Sequence, residues 1–136
     1  MSTHPSQLLL EQKLRNLADD LDNYLEDTFG DLYPLHPNRL RRGEAASVAY
    51  DGLFSTGTQF TAGYGSKYGR GYIMSIEIRT LFPVKEEDRQ AVEQASKEYL
   101  KQIIPRYLPG RKIELKRDGN VYKLVGDFSL GSSSNS

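Results

Sequence analysis

The chain has 136 residues, eighteen basic and eighteen acidic side chains, and no cysteine. This length suits one domain with a modest core, and the missing cysteine removes disulfides, thiolate metal ligands and cysteine nucleophiles together. No apolar run approaches the roughly 18 residues that a membrane-spanning helix needs, and the start lacks the basic cluster of a signal peptide, so a cytoplasmic location with no membrane partner is expected.

Charge is unevenly spread. Residues 1–32 carry two basic and seven acidic side chains, whereas residues 33–72 carry five basic and two acidic ones. An acidic segment ahead of a basic one predicts either contact between the two or an anionic ligand held by the second.

Residues 6–29 predict the first helix. Leu10, Leu14, Leu17, Leu21 and Tyr24 recur at spacings of four and three, a stripe about 80° wide on a helix that turns about 100° per residue. Ser6 can cap the start through its hydroxyl, and Gly30 stops the helix. The stripe has two uses, lying across the chain's own sheet or forming the interface of a homodimer. Asp19, Asp22 and Glu26 fall on the other side and read as a solvated face, although three carboxylates could also hold Mg²⁺ or Ca²⁺.

Residues 31–57 show no sustained period, with Pro34 and Pro37 at their start and Gly43, Gly52 and Gly57 beyond. They predict a long irregular loop, with room for a helical turn over residues 44–50; such loops tend to carry function. His36 has no histidine or carboxylate at ligand spacing, so it reads as a solvated loop histidine and not a metal ligand. Residues 58–64 alternate weakly as a strand. Residues 72–82 alternate strongly, with Tyr72, Met74, Ile76 and Ile78 on one face and Ser75, Glu77 and Arg79 on the other.

Residues 84–104 predict the second helix, with Glu86, Glu87 and Asp88 at the positive end of its dipole. Val92, Ala95, Tyr99 and Ile103 form its stripe and Pro105 its stop. Residues 111–129 predict a hairpin turning at Asp118, Gly119 and Asn120, and 131–136 a disordered tail. The order α-ββ-α-ββ predicts a two-layer α+β domain of residues 1–130, an antiparallel-rich sheet with amphipathic helices on one face.

The stretch TAGYGSKYGRGY is the most distinctive. Its glycines, at 63, 65, 69 and 71, miss the G-x-G-x-x-G spacing, and a strand follows where a dinucleotide fingerprint needs a helix. No G-K-[ST] accompanies them. Arg70, Gly71 and Tyr72 match only the first three positions of an RNA-binding strand motif. What remains is physical: glycine amides can converge on an anion, cations supply charge and tyrosines supply stacking surface. The candidate anion site therefore comprises Arg39, Arg41, Arg42, Gly65, Lys67, Tyr68, Gly69, Arg70 and Tyr72. It predicts a non-enzymatic module binding a phosphate-bearing partner, a nucleic acid or nucleotide, with no cofactor. The alternative is a dimeric protein-interaction or chaperone-like module that binds a polypeptide. An enzyme using His36 or a loop carboxylate on a small substrate is the weakest reading, because no base–nucleophile pair is evident.

Overall fold

The computed structural model describes residues 5–64, 68–118, 121–126 and 128. The predicted turn residues Gly119 and Asn120, the predicted ligand residues Gly65 and Lys67, and the predicted tail over 131–136 lie outside them.

The elements follow the predicted order. Helix α1 spans Pro5–Phe29, strand β1 Phe54–Thr61, β2 Gly71–Ile78, helix α2 Glu86–Tyr107, β3 Ile113–Asp118 and β4 Val121–Gly126. The strands form one antiparallel sheet in the order β1-β2-β4-β3. The second hairpin thus inserts its last strand beside β2 and leaves β3 at the edge.

Register fixes what each face carries. Phe54 faces Ile78, Phe60 faces Tyr72 and Tyr72 faces Leu124 across the ladders. Period-two alternation then puts Phe54, Thr56, Tyr72, Met74, Tyr122 and Leu124 on the helix side. These pack with Leu10, Leu14, Leu17, Leu21 and Leu25 of α1 and with Val92, Leu100 and Ile103 of α2 in a single core.

Several predicted placements need correction, among them the strand over residues 72–82, which ends at Ile78 where its ladder with β1 ends. Strand β1 begins at Phe54, inside the stretch predicted as loop, because Phe54 and Thr56 are buried and Gly57 continues the ladder opposite Ser75. Helix α2 does not stop at Pro105 but runs to Tyr107. The proline ring deletes one donor in the last turns, while the Leu108 amide still donates to the Ile104 carbonyl at 2.9 Å. The buried face of α2 also lies about one position on from the predicted stripe, taking in Ser96 and Leu100.

The loop between α1 and β1 is built and not loose. It holds a short 3₁₀ turn at Val48–Tyr50 and a parallel bridge between Leu40 and Asp51. Its first part runs beside the end of β2, where the His36 amide donates to the Arg79 carbonyl at 2.9 Å.

Candidate functional site

The predicted cations divide into two groups. Arg39 donates from Nε to the Gly52 carbonyl (2.9 Å) and from Nη2 to the carbonyls of Asp51 (3.0 Å) and Phe54 (2.8 Å). Arg42 reaches the acidic face of α1. Its Nη2 donates to Asp22 and, at 3.3 Å, to Glu26 Oε1, and its Nη1 donates to Asp51 Oδ1 at 2.7 Å. Asp51 Oδ2 accepts the Gly43 and Ala45 amides at 2.8 and 3.1 Å. Glu26 Oε1 also accepts the Leu53 amide at 2.9 Å.

These two guanidinium groups therefore bolt the long loop to α1 and to the start of β1, which corrects their assignment to an anion site. The Arg42 Nε is buried without a hydrogen bond among the described residues, a consequence of aiming both Nη atoms at carboxylates. Arg41 alone of the three is exposed, and its backbone amide donates to Glu44 Oε1 at 2.8 Å.

The solvated reading of the α1 carboxylates is likewise corrected for Asp22, which is fully buried. Thr56 Oγ1 lies within hydrogen-bond distance of both the Ala18 carbonyl oxygen (2.8 Å) and Asp22 Oδ2 (3.1 Å). Burial pushes the Asp22 carboxyl above the ordinary carboxylate range, against the opposing pull of Arg42 and Thr56. No cluster of metal-ligating side chains occurs among the described residues.

The leucine stripe is also committed. Leu10, Leu14, Leu17 and Leu21 are between 0 and 3% exposed, and Tyr24 stacks on Tyr99 of α2 with ring centroids 4.1 Å apart. The predicted homodimer seam is thus the chain's own α1–sheet contact, since a side chain buried in the core has no surface left for a second copy.

Arg70 and Tyr72 behave differently. Together with Gln7, Leu10, Phe60 and Phe128 they line a cleft of about 400 Å³ between the start of α1 and the near end of the sheet. Three aromatic rings meet edge to face there: Phe60 and Tyr72 at 5.6 Å and 71°, Tyr72 and Phe128 at 5.0 Å and 64°. Phe60 is 56% exposed and Tyr72 buried, so Phe60 presents surface on a fixed support. Burial, with a smaller push from Glu11, raises the Tyr72 hydroxyl above its usual range and keeps it neutral. Arg70 is exposed and makes no ion pair among the described residues.

The glycine stretch closes beside this cleft. Gly63 has φ +80°, and a Cβ there would fall 2.0 Å from the Gly69 carbonyl group, so only glycine lets the two ends of the loop touch. The Gly69 carbonyl accepts a hydrogen bond from Lys123 Nζ. Lys123, on the sheet face away from the helices, is only 2% exposed, with Asp118 at 3.6 Å. Lys123 and the aromatic partners Phe60 and Phe128 escaped the sequence reading. Lys123 shares a strand face with Val121 and Val125, and Phe60 falls in the weakly alternating residues 58–64, but neither pattern marks a site, and Phe128 has only its aromaticity.

A family model described as "Uncharacterised protein" matches residues 5–126, and the chain belongs to that family. The match runs from the first residue of α1 to the last of β4 and includes Phe60, Arg70, Tyr72 and Lys123. A Borreliella burgdorferi protein described as "Uncharacterized protein" is 42% identical over 118 residues, which cover 87% of this chain and 92% of that protein. No solved structure matches the chain.

Proposed function

We propose that this family member is a non-enzymatic binding module whose cleft between α1 and the sheet takes a phosphate-bearing ligand with a planar base, a nucleotide or a nucleotide unit of single-stranded nucleic acid. The observation that carries this reading is the meeting of Arg70 with Phe60, Tyr72 and Phe128 in one open cleft. An exposed guanidinium supplies the charge for a phosphate, and the Phe60 ring supplies a face for a base. Lys123 lies on the other face of the sheet and supports the site only from behind, through its hydrogen bond to the Gly69 carbonyl. Arg39 and Arg42 fall outside the revised site. A cytoplasmic location accompanies the reading, on the cysteine-free composition alone.

The test is a titration with AMP and with a short single-stranded oligonucleotide. Affinity for the oligonucleotide should fall steeply between about 50 and 200 mM salt, and Arg70→Ala should flatten that dependence. Phe60→Ala should cost about 1–3 kcal/mol of binding if a base stacks there. Arg70→Ala should leave the melting temperature unchanged, because that side chain is exposed, while Phe60→Ala should lower it only slightly through the lost cross-strand contact with Tyr72. Absence of binding to either probe at low salt sinks the proposal.

A protein-interaction role is the second reading. It is favoured by Leu8 and Leu9, exposed beside the cleft-lining Gln7 and Leu10. A concentration-dependent sedimentation coefficient, insensitive to AMP, would point to it instead.

A further inference from the structure

We propose that the cavity between the far half of β2 and the first turns of α2 binds a small organic carboxylate with an apolar body, aromatic or branched. Strand β2 continues to Ile78, but its register with β4 ends at Met74. Ile76 and Ile78 therefore keep their place on the helix side without a β4 neighbour. Both stay partly exposed, while Met74 on the same face is buried.

The space beside them is a cavity of about 130 Å³, walled by Met74, Ile76, Ile78, Val92 and Tyr122. That is close to the roughly 150 Å³ apolar cavity that accepts benzene. Two guanidinium groups, Arg89 and Arg117, also line it. Arg117 is bound to Glu93 at 2.9 Å and lies over the Tyr122 ring, 5.6 Å from its centroid. Arg89 is exposed and has no ion pair among the described residues.

Two arginines against one carboxylate leave the wall with one positive charge in excess, and a planar carboxylate matches a guanidinium fork. An apolar pocket with one oriented polar contact is the usual form of a small-molecule site. The cavity lies at the opposite end of β2 from Tyr72, so it stands independently of the nucleotide cleft.

The probe is benzoate, with benzyl alcohol as its uncharged analogue, titrated into the full chain carrying labelled methyl groups. Benzoate should move the Ile76, Ile78 and Val92 methyl resonances saturably, with a dissociation constant near about 1 mM. Benzyl alcohol should bind about tenfold more weakly or worse, a difference of about 1.4 kcal/mol. Arg89→Gln should bring benzoate down to the level of the alcohol, with the methyl spectrum of the free protein unchanged. Equal affinity for the two probes, undiminished benzoate binding by Arg89→Gln, or no shift by about 10 mM would each overturn the assignment.

Discussion

Arg42 sits within ion-pair reach of Asp22, Glu26 and Asp51, and the first and last of these are almost wholly buried. Removing it would leave three carboxylates crowded at the α1–loop contact with only the more distant Arg39, whose hydrogen bonds go to backbone carbonyls, to oppose them. The Asp22 charge, by contrast, is already opposed by burial, so neutralising it relieves a desolvation cost while losing one hydrogen bond. Arg42→Met should therefore destabilise the protein by about 3–5 kcal/mol, and Asp22→Asn by distinctly less. Urea unfolding checks this: the midpoint should drop for Arg42→Met with the slope unchanged. Equal losses for the two variants would show that hydrogen-bond geometry, not charge balance, governs the site. At this scale the sequence was half legible. Its acidic helix and basic middle predicted contact or an anion site, and contact is what Arg42 makes. Which arginine would turn inward depends on the path of residues 39–53, and no periodicity encodes that path.

The two helices meet through a polar seam as well as an apolar one. Tyr99 and Tyr107 of α2 both donate to the Asp20 carboxylate of α1, Tyr107 at 2.6 Å. The Asp20 hydrogen bond, with burial second, pushes the Tyr99 hydroxyl from an ordinary 10.0 up to about 12. A folded value above the unfolded one means that the folded state holds its proton more tightly. The contribution of this bond is thus fully present below about pH 10 and is lost as pH rises through about 12. Urea midpoints measured from pH 9 to 12 should fall more steeply for the native chain than for Tyr99→Phe. Parallel curves would remove Asp20–Tyr99 as a fastening of α2 onto α1. The spacing of Leu10, Leu14, Leu17 and Leu21 located the buried face of α1 correctly. Spacing reports only that a face is apolar, so the choice between the chain's own sheet and a second copy was invisible until Phe54, Thr56 and Met74 were placed beneath it.

Across the whole molecule, the chain is two ββ hairpins joined along a narrow line, since β2 and β4 pair only from Tyr72 to Met74 and from Tyr122 to Leu124. The alternation in each hairpin and the α-ββ-α-ββ order were readable. The order β1-β2-β4-β3 was not, because it follows from how α2 carries the chain across and which hairpin edge then meets β2. At the mouth of this junction lies Gly71, where a Cβ would come within 2.3 Å of the Leu124 carbonyl oxygen. That oxygen belongs to the backbone of a buried strand and has little freedom to retreat. Gly71→Ala should force the two hairpins apart at their shared edge, costing about 1–3 kcal/mol. Because α1 and α2 contribute to one core across both hairpins, the loss should spread through the molecule. Amide exchange should quicken together in β2 and β4, with one cooperative unfolding transition at a lower urea midpoint. Faster exchange confined to β4 would mean instead that the second hairpin opens alone, and that the helices and not the β2–β4 ladder hold the two halves together.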